Sequence, residues 1–208
     1  MDRVAAGHII SGPGHSKNVR PNSQDQEEHG QPTKRAFPRS IYDINADRPD
    51  IHQWHNWTAR IRVKKFQFGS TFSVLIFLGD VPPQHTQWKS SDNLVGTHHV
   101  YATSLPPGGD SGIINEGFIH LNLAILRKRE DEAKFDPGEI KPYLRENLNW
   151  RTADLRSEPI EISSLEVTVV STLFSKVPGA RMPASSDRRT HHDITFGRPG
   201  GATDRTTD

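Results

Sequence analysis

Residues 57–79 read WTARIRVKKFQFGSTFSVLIFLG, and they carry the clearest strand pattern in the chain. In its first half, Ala59, Ile61 and Val63 alternate with other residues, mostly basic, in the period of two that a half-buried strand requires. The second half contains the uninterrupted apolar run 74–78, which is typical of a strand that is covered on both faces. A short glycine-containing turn separates the two halves. We therefore predict a core hairpin of two antiparallel strands.

The rest of the chain continues this pattern, with short apolar runs that alternate with turn clusters. GDVPP, SLPPGGDSG and RSEPIE are three such clusters. This spacing predicts a mainly β fold class, an antiparallel β-sandwich with one short helix, flanked by disordered N- and C-terminal segments. The predicted strands are 56–66, 72–79, 93–104, 116–124 and 159–171.

The predicted helix begins at a recognisable cap. Asp136 can accept hydrogen bonds from free backbone amides, Pro137 suits the first helical position, and Glu139 completes a capping box. Apolar residues then recur at helical spacing, at Ile140, Tyr143, Leu144 and Leu148. Their apolar face should pack on the sandwich, with Trp150 just beyond the helix.

Composition sets outer bounds on the function. The 208 residues have 33% hydrophobic residues and a mean hydropathy of −0.68, which is polar for a fully folded chain. The 26 basic and 25 acidic residues are well mixed, so we expect no nucleic-acid partner. The lack of cysteine excludes disulfides and thiolate metal sites. Because no signal peptide or membrane-spanning run is recognisable, we expect no membrane partner and an intracellular, cytoplasmic location.

Polar residues concentrate at the two ends of the chain. Residues 1–50 are rich in Gly, Pro, Asn, Gln, Ser and charge, and we predict a disordered lead-in segment there. The predicted β-sandwich domain covers 51–177. Residues 178–208 are predicted to form an extended polar tail that docks partly near 191–199. The side chains suited to this docking are Ile194 and Phe196.

Seven blocks of sequence occur in an order that is known from one protein family. They are WTARIRVKKF, FSVLIFLGDV, NLVGTHHVYA, GFIHLNLAI, IKPYLRENLNWR, LEVTVVST and HDITFGRPGG. Over about residues 54–201 the chain resembles the C-terminal domain of fungal tyrosinases. The resemblance implies a β-sandwich, similar in architecture to a haemocyanin domain, that packs over a separate helical domain carrying the two-copper site. It also implies that the sandwich blocks substrate entry until it is removed or displaced.

The resemblance implies a shielding role for the segment around residue 100. In the relatives an aromatic residue of this region projects into the copper pocket and takes the place of the phenol ring, and Tyr101 is the nearest match. His98, His99 and Val100 are predicted interface residues beside it. Many relatives carry a C-x-x-C pair in the next loop, where thiolates could deliver Cu(I), whereas this chain reads SLPPGGDSGII there. The expected role is therefore shielding without copper delivery.

The histidines of the chain do not predict a metal site. A dicopper centre takes its histidine ligands from a helical bundle, and this sequence contains no such bundle. Because His98 and His99 are adjacent in a predicted strand, their side chains should point to opposite faces, and one should pack inside. His191 and His192 should lie in a solvated tail. We predict no catalytic residue and no metal ligand in this chain, with copper in a partner catalytic domain.

Two classes of function remain open at this point. The first is a non-catalytic domain that shields the dicopper site of a tyrosinase catalytic domain, in cis or in trans, in phenol oxidation and melanin formation. Such a chain would be inactive alone, either as a fragment of a longer gene product or as a free-standing domain. The second is a free-standing β-sandwich module that binds protein or carbohydrate without any link to copper enzymes. A large exposed apolar patch would favour the first class.

Overall fold

The computed structural model describes residues 52–102, 112–129 and 135–204, which fold mainly into strands. The strands are β1 Gln53–Lys64, β2 Phe72–Leu78, β3 Leu94–Val100, β4 Ile114–His120, β5 Leu148–Asp154, β6 Glu166–Ser175 and β7 Ala184–His191. They form a four-stranded sheet in the order β4-β1-β6-β7 and a three-stranded sheet in the order β3-β2-β5, with antiparallel pairing throughout. The predicted antiparallel β-sandwich is confirmed. The predicted lead-in segment 1–50 lies outside the described residues.

Short helices connect some of these strands. The α-helices are α1 Asn122–Lys128 and α2 Pro137–Asn147, and the 3-10 helices are His85–Ser90 and His192–Ile194. The structure thus adds α1 to the one predicted helix. Within the three described ranges, no helix has the length and apolar character needed to cross a lipid bilayer.

The first two strands do not form the predicted hairpin. β1 pairs with β4 and β6, whereas β2 pairs with β3 and β5, so the connection 65–71 carries the chain from one sheet to the other. This connection has seven residues, from Lys65 to Thr71, which is longer than the roughly two to five residues of most hairpin loops. The two apolar strands therefore face each other across the core instead of pairing side by side.

β2 is buried on both faces, as its continuous apolar run predicts. Val74 and Ile76 belong to the core between the two sheets, whereas Leu75 and Phe77 pack with Trp88 of the first 3-10 helix on the outer face. β1 buries alternate residues over its second half, which confirms the period of two read from the sequence. Burial of these apolar faces is the main favourable contribution to folding.

The predicted strand 116–124 ends early because Asn122 replaces backbone pairing with its side chain. Asn122 is buried, and its Oδ1 accepts a hydrogen bond from the Trp57 backbone amide at 2.6 Å. Its Nδ2 donates to the carbonyl oxygen of His55 at 2.8 Å. β4 ends at His120, which pairs with Thr58 of β1. The Asn122 side chain thereby satisfies two backbone groups of β1 that lie past the end of this pairing. The chain is then free to turn into α1.

α2 begins at the predicted cap and ends earlier than predicted. The Asp136 side chain accepts a hydrogen bond from a backbone amide of the first turn, and Ile140 and Leu144 are buried against the core. The helix ends at Asn147, and Leu148 is the first residue of β5 instead of a further helical residue. The sequence analysis missed β5, since its alternation follows directly on the helical pattern without a turn signal.

The sequence analysis also missed β7. This strand pairs with β6 and forms one edge of the four-stranded sheet. Its residues from Ala184 to Arg189 are exposed, so the segment ASSDRR carries no apolar period that would reveal a strand. Hydrogen bonds along the β6 backbone, not burial of its own side chains, therefore hold most of β7 in place.

The segment that follows β7, residues 192–204, lies between β5 and β6. Trp150 of β5 donates a hydrogen bond from Nε1 to the Pro199 carbonyl oxygen at 3.0 Å. The Val167 backbone amide of β6 donates to the Gly200 carbonyl oxygen at 2.8 Å. We call residues 192–204 the C-terminal segment. It closes one open side of the sandwich.

The docking residues predicted for this segment behave differently from each other. Ile194 is almost fully buried and joins the main core, whereas Phe196 is 44% exposed. Arg198 supplies a contact that the sequence analysis did not anticipate, with its guanidinium carbon 4.3 Å from the centre of the Trp150 ring. Its Nη2 also donates to the Leu148 carbonyl oxygen at 2.7 Å.

Candidate functional site

One end of the sandwich gathers strand ends from both sheets. In the three-stranded sheet, Phe72 at the start of β2 pairs with Val100 at the end of β3 and with Asp154 at the end of β5. In the four-stranded sheet, the end of β1 pairs with the start of β4. The connection between β1 and β2 joins these two groups. The exposed hydrophobic residues at this end, which we call the apolar end, are Phe68, Tyr101, Ile113, Ile114 and Leu155.

The apolar end is the main concentration of exposed apolar surface in the described part of the chain. Five of the nine large hydrophobic side chains that are exposed in this part lie there. Tyr101 is 69% exposed and Leu155 is 71% exposed, so neither contributes to the core. Single exposed apolar residues are ordinary on protein surfaces, but a group of them marks an interaction surface.

Tyr101 lies directly beyond β3 and between two anchored neighbours. Val100 is fully buried, and Ala102 is buried and hydrogen-bonded to Thr71, with the Ala102 amide 3.2 Å from Thr71 Oγ1. The Thr71 hydroxyl also lies 3.2 Å from the Ala102 carbonyl oxygen. These anchors fix the backbone of Tyr101 while its phenol ring projects outward. Val100 is a core residue, and its predicted role at an interface stays a prediction.

His98 and His99 point to opposite faces of the three-stranded sheet, as predicted. His99 lies on the outer face, where its Nδ1 is 2.9 Å from Ser73 Oγ and its ring centre is 6.1 Å from that of Tyr101. His98 points inward between the sheets, and its Nε2 donates to Asn115 Oδ1 of β4 at 2.6 Å. The two adjacent histidines therefore have separate roles, one at the surface beside Tyr101 and one between the sheets.

Two glycines allow β3 and β4 to approach each other, although they belong to different sheets. A side chain at Gly117 of β4 would overlap the imidazole of His98. A Cβ atom at Gly96 of β3 would lie 3.1 Å from Cγ2 of Ile119. The sequence analysis did not identify Gly117 or its neighbour Asn115. An isolated glycine within a strand pattern is the signal that could have found the contact, because it marks a close approach.

His191 is buried, so its predicted place in a solvated tail is wrong. It is the last residue of β7, with Nε2 2.7 Å from Ser171 Oγ and its ring centre 5.0 Å from that of Trp57. Burial lowers the pKa of His191 to about 4, and the positive charge of Lys141 acts in the same direction. The imidazole is therefore neutral at physiological pH and serves the packing of the core.

The described residues do not fit a copper centre. In residues 52–102, 112–129 and 135–204, no three side chains of His, Asp or Glu lie close enough together to hold a metal ion. The imidazoles of His98 and His191 are engaged with other partners, His98 with Asn115 and His191 with Ser171. Ligand histidines need a shared, preorganised position around the metal. We therefore assign no copper site to these three described ranges.

The fold defines the class of antiparallel β-sandwich domains. The family model described as the tyrosinase C-terminal domain matches residues 56–171, which is more than half of the chain. The chain belongs to this family. The match covers most of β1, all of β2 to β5, both α-helices and the first part of β6, and it confirms the family resemblance read from the sequence blocks.

Curated and solved relatives match the same region. The chain is 27% identical over 162 residues to the tyrosinase of Neurospora crassa, covering 72% of this chain and 24% of that protein. It is 24% identical over 170 residues to polyphenol oxidase 2 of Agaricus bisporus, covering 76% of this chain and 29% of that protein. The structure of recombinant mushroom tyrosinase matches with a TM-score of 0.53 at 23% identity, over 65% of this chain and 23% of that chain. The chain thus spans less than a third of the length of these relatives.

Proposed function

We propose that this chain is a non-catalytic shielding domain that covers the entrance of a tyrosinase dicopper site with its apolar end. The observation that carries the proposal is the exposed phenol of Tyr101, held between buried Val100 and Ala102 at this end. Family membership supplies the kind of partner, a tyrosinase catalytic domain. The copper, the phenol-oxidising activity and the catalytic residues all belong to that partner.

The chemistry of Tyr101 suits a residue that stands in for substrate. Its side chain carries a phenol, the functional group on which a phenol-oxidising enzyme acts, and occupying the substrate pocket with this ring would exclude free phenols. Leu155 and Ile113 would be removed from water in the same interface, which is the main driving force for such association. His99 beside Tyr101 would supply a polar edge to the contact.

The partner can be supplied in two ways. The relatives are longer than this chain, which matches 24% of the Neurospora crassa tyrosinase, so a catalytic domain could precede the sandwich in the same polypeptide. The sandwich could also act in trans on a separate tyrosinase. Both arrangements use the same apolar end and place the protein in phenol oxidation and melanin formation.

The alternative of a carbohydrate-binding module receives little support from the tryptophans. All four tryptophans are buried, namely Trp54, Trp57, Trp88 and Trp150. A sugar-binding surface needs aromatic ring faces open to solvent, and these four are committed to the core. A module that binds another protein through the apolar end remains compatible with the same exposed residues.

The proposal is tested by inhibition of a catalytic domain in trans. The full chain is mixed with the copper-loaded catalytic domain of the Neurospora crassa tyrosinase, and the initial rate of phenol oxidation is measured against chain concentration. We expect saturable inhibition that weakens at least tenfold with Tyr101→Ala, since a central aromatic anchor contributes about 2 kcal/mol or more to an interface. Phe118→Ala is the matched control, because Phe118 is exposed on β4 outside the apolar end.

Three results separate the possibilities. Inhibition that Tyr101→Ala weakens and Phe118→Ala leaves unchanged supports the proposal. Equal inhibition by the Tyr101→Ala chain would remove the substrate-mimicking role of Tyr101 while leaving steric cover by the rest of the apolar end. Failure of the chain to bind or inhibit the catalytic domain would overturn the proposed shielding function.

A further inference from the structure

The apolar end is divided between the two sheets, so its shape depends on how the sheets are held together. Tyr101 and Leu155 follow strands of the three-stranded sheet, whereas Ile113 and Ile114 lie at the start of β4 in the four-stranded sheet. β3 and β4 are edge strands that face each other without backbone pairing. A side-chain contact between them therefore sets the distance across the apolar end.

We propose that His98 is a positioning residue for Tyr101, acting through a contact that comprises His98, Asn115 and Gly117. This inference rests on the proposed shielding function and adds the side chains that hold the shielding residue in place. His98 lies three residues before Tyr101 on the strand that leads to it, and Asn115 lies one residue after Ile114. The contact thus ties together the two strands that bear the two halves of the apolar end.

The geometry of the contact restricts movement of β3 relative to β4. The His98 Nε2 to Asn115 Oδ1 distance is 2.6 Å, which is short for a hydrogen bond with a nitrogen donor. The bond is partly buried, where the lower dielectric strengthens it and makes an unpaired partner costly. The Cα of Gly117 supports the imidazole from the β4 side, where any larger residue would displace it. Both a polar and a steric element therefore fix β3 against β4.

The consequence at Tyr101 follows from strand geometry. Three residues of extended chain span about 10 Å, so Tyr101 lies close enough to His98 to follow any movement of β3. Val100, between them, is fully buried and makes this part of the strand rigid. Loss of the contact would shift Tyr101 relative to Ile113 and Ile114, and an anchor displaced by about 1 Å fits its pocket poorly.

The test is a double-mutant cycle between His98 and Tyr101, measured in the inhibition assay with the full chain. His98→Ala and Asn115→Ala should each weaken inhibition by about tenfold in the unaltered background, since each removes one hydrogen bond and its positioning effect. In the Tyr101→Ala background, the same changes should have almost no further effect on inhibition. The thermal stability should fall by the same amount in both backgrounds, because a purely structural effect does not depend on Tyr101.

Conservative variants and a matched control sharpen the result. His98→Gln keeps a side-chain N–H donor for Asn115 and should recover part of the lost inhibition. His120→Ala removes an exposed imidazole at the other end of β4, whose Nδ1 lies 3.2 Å from Thr58 Oγ1. This change should leave inhibition unchanged. Circular dichroism at the assay temperature verifies that each variant is folded, and the milder His98→Gln and Asn115→Ala chains serve where His98→Ala unfolds.

The outcomes distinguish this inference from the proposed function. Coupling between His98 and Tyr101 supports the positioning role. Inhibition that weakens by the same factor in both backgrounds, or that does not change with His98→Ala in a folded chain, would overturn that role while the shielding function stands. Failure of the unaltered chain to inhibit would overturn the shielding function, and the role of His98 with it.

Discussion

The two open sides of the sandwich are closed in different ways. Between β5 and β6 the C-terminal segment fills the gap, with Ile194 in the core, Arg198 over Trp150, a backbone hydrogen bond to β6 and side-chain-to-backbone hydrogen bonds with β5. Between β3 and β4 the strands meet directly, through two glycines and the bond from His98 to Asn115. We call the β5/β6 side, where a further segment lies between the strands, the thick side. We call the β3/β4 side, where the strands meet directly near Tyr101, the thin side.

Because of this difference, we expect one side to determine mainly the stability of the domain and the other mainly its proposed function. The thick side contributes much buried apolar area and should determine whether the chain folds. The thin side contributes little area but sets the position of the residues at the apolar end. Changes on the two sides should therefore differ in size and in kind, and four measurements address that expectation.

The largest effect is expected on the thick side. Ile194→Ala removes a buried side chain from the main core and should lower the free energy of unfolding by about 2–5 kcal/mol. Phe196→Ala, two residues away and 44% exposed, should change it by less than about 1 kcal/mol. Urea unfolding followed by tryptophan fluorescence measures both. Equal losses for the two variants would show that the C-terminal segment is not part of the core.

The next effect is a pH dependence centred on His191, the last residue of β7, directly before the C-terminal segment. Because burial lowers the pKa of His191 to about 4, the unfolded chain takes up a proton more readily than the folded one between about pH 6.5 and 4. Stability should therefore fall as the pH decreases through this window, by up to about 3 kcal/mol, and this contribution should level off below about pH 4. Burial also lowers the pKa of His55, which acts in the same direction.

Urea unfolding between pH 7 and pH 4 checks this dependence. His191→Gln removes the titrating group and should flatten the dependence of the free energy of unfolding on pH. Only the smaller dependence that comes from His55 should then remain. Ser171→Ala removes the hydrogen-bond partner of His191 but keeps the imidazole, so the slope should persist. A curve that is equally steep in the His191→Gln chain would assign the acid sensitivity to other groups.

On the thin side, Gly117→Ala tests the close approach of the two sheets. The added methyl group would collide with His98 and should cost about 1–3 kcal/mol through overpacking. Glu116→Ala, on the outer face of the same strand, removes a partly exposed ion pair with Arg60 and should cost less than about 1 kcal/mol. Thermal unfolding compares the two variants. A neutral Gly117→Ala chain would mean that β3 and β4 are not held at a fixed distance.

The smallest effect on stability is expected at the apolar end itself. Tyr101→Ala removes a ring that is 69% exposed and should change the free energy of unfolding by less than about 0.5 kcal/mol. The same change should weaken inhibition of the catalytic domain strongly, so the two measurements should diverge. A Tyr101→Ala chain that loses stability and inhibition together would instead place Tyr101 in the structural core.

Much of this architecture could be predicted from local patterns in the sequence. The alternation in β1 and the unbroken apolar run of β2 gave the strands, and the capping residue Asp136 gave the start of α2, because each pattern reflects local burial or a local hydrogen bond. The pairing of β1 with β6 instead of β2 depends on partners more than a hundred residues apart, which no local pattern records. β7 escaped prediction since its residues 184–189 are exposed and show no apolar period.

The candidate site divides in the same way. Tyr101 was singled out because the sequence around it resembles a family, and its role stays a prediction. The strand before it predicted the opposite orientations of His98 and His99 correctly. The contact between His98 and Asn115 could not be predicted, since it joins two sheets and depends on the space left by Gly117. His191 was misassigned because its burial comes from elements distant in sequence.

The position of β1 has a consequence for how the chain folds. Trp57 of this central strand pairs with Ser171 of β6, so the middle of the four-stranded sheet cannot assemble until β6 has been synthesised. Contacts of such long sequence separation slow folding to the millisecond-to-second range and leave apolar strands exposed meanwhile. A newly made chain would therefore pass through an aggregation-prone interval, during which a chaperone or an already folded neighbouring domain could decide its yield.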